Sequence, residues 1–189
     1  MSEDDSETVV RLQEASDVPA DARLPTANGE FRIRVFHEQA TGLDHVALTL
    51  GQMQGPDPVL VRIHSECLTG DALGSLRCDC GPQLDSALGR ITEQGWGCLI
   101  YLRQEGRGIG LHAKIQAYNL QDQGVDTLDA NLMLGYPVDA RDYQIAAEIL
   151  RALDIPRVCL LSNNPQKSEG LCSLGIDVVE MMPLVVGIG

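Results

Sequence analysis

Three of the chain's six cysteines, Cys67, Cys78 and Cys80, crowd into the stretch Arg62–Gly81, and the rest of the sequence is arranged around it. Thiolates are soft ligands, and at these spacings they suit zinc better than magnesium or calcium. The count bears on function. A closed structural site has four protein ligands, whereas a catalytic site keeps three and leaves the fourth position to water or substrate. No partner Cys-x-x-Cys pair stands elsewhere. Three readings stay open: an open site on the three cysteines, a closed one completed by His64 or Cys98, and three ordinary reduced thiols.

Just upstream, residues 58–63 (Pro-Val-Leu-Val-Arg-Ile) read as a buried strand, which puts His64, Ser65 and Glu66 at its C-terminal end. In open α/β sheets, ligands bind there. Arg62 and Arg77 bracket the window, and cationic forks beside a thiolate-held metal suit an anionic substrate. The window points to metal-assisted hydrolysis of a phosphorylated compound.

Composition narrows the classes. A formal net charge of −13 speaks against general nucleic-acid binding, which needs a basic surface. A hydrophobic content of 44% over 189 residues supports one sizeable core. The cysteines form no disulfide framework, and neither an apolar leader nor a long apolar span is present, so a cytoplasmic protein without a membrane partner is expected. Residues 1–21 carry Glu3, Asp4, Asp5, Glu7, Glu14, Asp17 and Asp21 against a lone Arg11. They are expected to form a disordered acidic tail, with 22–189 as the folded domain.

Strand patterns fall at 31–36, 45–51, 97–102, 157–161 and 176–180, and helical ones at 82–93, 111–123, 131–134, 145–153 and 171–174. Little helix precedes the cysteine window, so part of the sheet should be antiparallel. The later alternation of strand and helix gives an α/β class, a mixed sheet flanked by helices. The helix over 111–123 is expected to bury Leu111, Ile115, Tyr118 and Leu120. Cys98 reads as core, and His37 and His45 as surface or strand-end residues. A second unusual stretch, Arg103-Gln-Glu-Gly-Arg-Gly-Ile-Gly110, puts two arginines, a carboxylate and three glycines at a strand-to-helix turn. Glycines let a backbone approach a ligand closely, and a helix N-terminus favours an anion. Asp139 or Asp142 could cap the helix that follows, and Lys167 could meet a phosphate.

These stretches together resemble the GTP cyclohydrolase II family. The resemblance runs from about Ala22 to Gly187. It rests on Arg62-Ile-His-Ser-Glu-Cys67, on Asp71 to Cys80 with its Arg-Cys-Asp-Cys, on Arg103-Gln-Glu-Gly-Arg107, on Tyr118-Asn-Leu-Gln-Asp-Gln-Gly124 and on Ser162-Asn-Asn-Pro165. It implies a mixed α/β fold of that family and the first step of riboflavin biosynthesis. In that step GTP loses pyrophosphate by cleavage between the α and β phosphates, and its imidazole ring opens with loss of C8 as formate.

By the same resemblance, Cys67, Cys78 and Cys80 hold one zinc per subunit, and zinc activates the water that attacks C8. Arg62, Ile63, His64, Ser65, Glu66, Gln83, Glu105, Gly106, Arg107, Thr127, Ser162 and Lys167 would contact GTP. Tyr118 would assist the ring chemistry. Arg141 would be the nucleophile towards the α phosphate or a stabiliser of its charge, with Asp139 as its base. Magnesium accompanies the triphosphate, and a homodimer is implied. The chain departs from the family at Ala113, where Asn is usual, and at Ser162, where Thr is commoner. A polar C-terminal tail and a preceding butanone-phosphate synthase domain are both expected to be missing. Competing readings are a zinc-bearing module without catalysis and a hydrolase that stops at the formamidopyrimidine.

Overall fold

A computed structural model of the chain describes residues 12–13, 20–137 and 141–186. Among these residues eight strands form one mixed sheet. They are β1 (Leu12–Gln13), β2 (Asp21–Thr26), β3 (Gly29–Glu38), β4 (Leu43–Leu50), β5 (Val59–Ser65), β6 (Gly97–Leu102), β7 (Arg157–Leu161) and β8 (Asp177–Met182). The order across the sheet is β1-β3-β4-β6-β5-β7-β8, with β2 also on β3. Pairs among β1 to β4, and β4 with β6, are antiparallel; β5 pairs β6 and β7 in parallel, and β7 pairs β8 in parallel. The expected mixed α/β sheet is thus present, antiparallel from β1 through β4 to β6 and parallel from β6 through β5 and β7 to β8.

The helices are α1 (Leu68–Asp71), α2 (Cys80–Gln94), α3 (Leu111–Asp122), α4 (Thr127–Met133), α5 (Gln144–Ala152) and α6 (Pro165–Ser173), with a 3-10 turn at Glu105–Gly108. Both faces of the parallel half are covered, so its strands read as near-continuous apolar runs. Val61 and Ile63 of β5 and Cys98, Ile100 and Leu102 of β6 pack with Ile145, Ile149 and Leu150 of α5. On the other face Leu60 and Leu99 meet Ala87 and Ile91 of α2. Alternation then puts Arg62 and His64, at even positions of β5, on the α2 side.

Two expectations change. Leu12–Gln13 and Asp21 lie in strands although they fall within the stretch 1–21 expected to be tail. β2 covers β3 only at Gly29–Arg34, which leaves the same edge open at His37–Glu38 for Leu12–Gln13 to pair. Residues 1–11 and 14–19 lie outside the described residues. The second change concerns α3. Its buried residues are Ala113 and Ala117, while Leu111 and Ile115 are exposed and Tyr118 is half-buried. The buried positions of this helix are thus its alanines rather than its larger apolar residues.

Candidate functional site

The parallel strands β5 and β6 end side by side, with Ser65 opposite Leu102 and the Glu66 amide donating to the Leu102 carbonyl at 2.8 Å. From the first end the chain enters Cys67 and α1; from the second it enters the glycine-rich turn. α2 begins at Cys80, so its start returns to the same place. The three sulfurs, from Cys67, Cys78 and Cys80, lie within 4.8 Å of one another, and Cys67 Sγ is 3.5 Å from Cys78 Sγ. Tetrahedral zinc with Zn–S bonds of about 2.3 Å separates its sulfurs by roughly 3.8 Å, so the donor set fits zinc. Gly70 makes the convergence possible. A Cβ there would stand 2.7 Å from Cys78 Sγ, 3.0 Å from Cys80 Cβ and 3.2 Å from Cys67 Sγ.

Neither candidate for a fourth ligand joins the group. Cys98 is fully buried in the core, and burial pushes its thiol up to about 12. His64 Nε2 is taken up by Asp71 Oδ1 at 2.9 Å, and its ring stacks on Tyr101. Among the described residues the metal-ligating group has three members, the count of an open site.

Buried carboxylates hold this end in place. Asp71 Oδ2 accepts from the Cys67 amide at 2.9 Å and from the Tyr101 hydroxyl at 2.7 Å. Burial alone would raise the Asp71 carboxyl, but the bonds from His64, Tyr101 and Cys67 bring it below the usual carboxylate range. The same bond to Asp71, added to burial, pushes the Tyr101 phenol up. Glu105 Oε2 accepts from the Leu68 amide at 2.7 Å, and its Oε1 accepts from Lys114 Nζ at 2.7 Å. Lys114 Nζ also donates to Cys67 Sγ at 3.0 Å. Burial would raise the Cys67 thiol, yet Lys114, with Thr69 and the Gly70 amide, draws it below the ordinary thiol range. Burial and the neighbouring sulfurs push Cys80 up, a mutual repulsion that a bound dication relieves.

A cavity of about 410 Å³ opens against the sulfurs, a size suited to a small-molecule ligand. Its walls bring together Ser65, Glu66, Cys67, Cys78, Cys80, Gln83, Gly106, Arg107, Tyr118, Thr127 and Arg141 from the expected set. Gly106 and Arg107 both adopt left-handed backbone, with φ of 63° and 61°, so the second position tolerates a side chain only under strain. Tyr118 Oη lies 3.4 Å from Thr69 Oγ1, and the Arg77 guanidinium sits over the Tyr118 ring at 4.7 Å. Among the described residues the buried Ser65 Oγ has no hydrogen-bond partner.

Other expected contacts stand behind the wall. Arg62 donates to Gln83 Oε1 at 2.8 Å and to the Leu161 carbonyl at 3.0 Å. Ile63 is core, and Ser162 is buried beside β8, its amide bonded to the Met182 carbonyl. Lys167 is buried and donates to the Ile63 carbonyl at 2.9 Å. Arg62, Ile63, His64, Glu105, Ser162 and Lys167 do not line the cavity. Asp139 lies outside the described residues.

The profile of the family described as GTP cyclohydrolase II matches residues 17–183. The chain belongs to that family. It is 58% identical over 168 residues to the GTP cyclohydrolase-2 of Proteus mirabilis, covering 89% of this chain and 84% of that one. It is 56% identical, with the same coverage, to the GTP cyclohydrolase-2 of Klebsiella pneumoniae subsp. pneumoniae. Among solved structures it is similar to a two-domain 3,4-dihydroxy-2-butanone 4-phosphate synthase from A. baumannii, at 19% identity and a TM-score of 0.42, over 84% of this chain and 36% of that one. A likeness that slight carries no argument.

In this member of the GTP cyclohydrolase II family, the wall also includes Asp79, Ile109, Lys114, Ala117, Gln121 and Asn131, which sequence reasoning did not single out. A signal for two of them, Lys114 and Gln121, was present. Lys114, Tyr118 and Gln121 recur at helical spacing on α3, and a polar stripe of that kind marks the face turned to a wet cavity.

Proposed function

We propose that the chain hydrolyses GTP to 2,5-diamino-6-(5-phosphoribosylamino)pyrimidin-4(3H)-one, formate and pyrophosphate, the reaction that opens riboflavin biosynthesis. The observation that carries this is the three-sulfur cluster of Cys67, Cys78 and Cys80 on the wall of a cavity that also presents Arg107 and Arg141. When bound there, zinc supplies the Lewis acidity that makes water nucleophilic near neutral pH. The residues of the chain supply the rest. Arg107 and Arg141 offer planar forks to the triphosphate, which arrives as its magnesium complex. Ser65 Oγ, without a partner among the described residues, donates to the substrate. The Tyr118 hydroxyl, beside that of Thr69, moves protons at the opening ring. Gln83, held by Arg62, and Gly106 and Thr127 complete the enclosure. Arg62, His64, Glu105, Ser162 and Lys167 act from behind by fixing β5 and the turns at its end, and Asp139 is the base that serves Arg141.

A guanidinium with a pKa above about 12 attacks phosphorus only after a base has taken its proton. Arg141→Ala therefore releases no pyrophosphate if Arg141 is the nucleophile, and a rate lower by ~10²–10³ survives if it only stabilises charge. The reading extends to one zinc per subunit, a homodimer and a cytoplasmic location; among the described residues no helix is long and apolar enough to cross a membrane. Zinc-loaded protein incubated with GTP and magnesium, with formate and pyrophosphate assayed together, tests the whole reaction. Both products are expected in equal amounts. Pyrophosphate without formate would assign the chain to a hydrolase that stops at the formamide, and neither product would leave a non-catalytic zinc module.

A further inference from the structure

We propose that Lys114 is a positioning residue for the metal centre: held by Glu105, its ammonium hydrogen-bonds the Cys67 sulfur and makes Cys67 the weakest electron donor of the three thiolates. This rests on the reading of the three cysteines as zinc ligands. Lys114 Nζ lies 3.0 Å from Cys67 Sγ and 2.7 Å from Glu105 Oε1, and the Lys114 and Glu105 side chains are 11% and 9% exposed. Among the described residues neither Cys78 nor Cys80 has a side-chain cation hydrogen-bonded to its sulfur. The asymmetry is therefore built into the chain.

The local fold explains why the ammonium is held so firmly. The left-handed turn at Gly106 passes against the lysine stem, where a Cβ on Gly106 would stand 3.1 Å from Lys114 Cβ. Glu105, anchored by the Leu68 and Gly106 amides, fixes the other side of the ammonium. A plain surface ion pair would have neither the stem packed under a strained turn nor a sulfur as second acceptor. Three thiolates and a dication carry one net negative charge. An N–H donor on one sulfur withdraws part of that charge and strengthens the Lewis acid that the remaining position presents to a ligand.

The test uses full-length protein loaded with cobalt(II) as a spectroscopic stand-in for zinc, alongside zinc-loaded protein for kinetics. In Lys114→Met the sulfur-to-cobalt charge-transfer band is expected to move to longer wavelength, because the Cys67 lone pairs are no longer stabilised. The kcat for formate release should fall about 10–100-fold, with KM for GTP changing less. Lys114→Arg keeps a cationic donor and should restore most of the band position. A folded Lys114→Met protein with the wild-type band and wild-type kcat would overturn the proposal. If that variant does not fold, Lys114→Gln is read instead: a smaller shift in the same direction supports the role, and an unmoved band overturns it. Wild-type protein showing no thiolate-to-cobalt band at all would overturn the metal reading itself, a result distinct from an unmoved band.

Discussion

The two walls of the cavity are built on different principles. At the sulfur end the groups that hold position are buried and charged: Asp71 ties His64, Tyr101 and the Cys67 amide together, and Glu105 ties the start of α1 to Lys114. Along α3 and α4 the buried residues are small or polar, Ala113, Ala117, Ala130 and Asn131, while Leu111, Ile115, Leu128, Leu132 and Met133 are exposed. One end is over-determined by hydrogen bonds, each costly to leave unmade. The other has small buried side chains and fewer polar ties, among them the long bond from Gln121 Nε2 to Thr127 Oγ1 at 3.4 Å. Substitutions should therefore matter unequally: at the sulfur end changes of charge or of a single methyl group should reach function, whereas on the outer face of α3 even a change of polarity should not.

The largest effect is expected from Cys78→Ser, which removes one of three thiolates with none in reserve. Metal analysis should show most of the zinc lost, and formate release should vanish; full zinc content with unchanged ring opening would detach the cluster from the chemistry. Gly70→Ala comes next. Its methyl group would have to enter space 2.7 Å from Cys78 Sγ, so the protein should lose about 1–3 kcal/mol and bind zinc at least ~10-fold more weakly in a chelator competition. Equal zinc affinity would show that the three sulfurs relax freely.

Asp71→Asn sharpens the contrast one step further from the metal. It keeps the shape but exchanges a carboxylate that accepts three hydrogen bonds for an amide. Urea unfolding of metal-free protein should show a loss of about 1–3 kcal/mol, and no loss would mean that this buried network is slack. The smallest effect is expected from Ile115→Ser on the exposed face of α3, within about 0.5 kcal/mol of wild type. A larger loss would show that this face is covered in solution.

The sheet was legible where apolar runs are continuous and bounded by glycine or proline. β6 at Gly97–Leu102 and β7 at Arg157–Leu161 fall on the expected residues. The convergence of Cys67, Cys78 and Cys80 was legible too, because their residue type and spacing admit few other uses. The buried face of α3 was not. Hydrophobic periodicity registers apolarity, and it favoured Leu111 and Ile115 over the alanines that pack. Lys114 was overlooked for a related reason, since a lone lysine on a helix reads as solvated until the turn that buries its stem is seen. Lys167 illustrates the reverse case: expected to meet a phosphate, it is buried and donates to the Ile63 carbonyl, a contact that only the tertiary structure reveals.

On the proposed reading three sulfurs, and only three, hold the metal and leave one position for chemistry. X-ray absorption at the zinc edge of the loaded protein tests it most directly. Three sulfur neighbours at about 2.3 Å with one oxygen or nitrogen neighbour near 2.0 Å is the expected result. Four sulfurs, or a shell of oxygen and nitrogen alone, would contradict it.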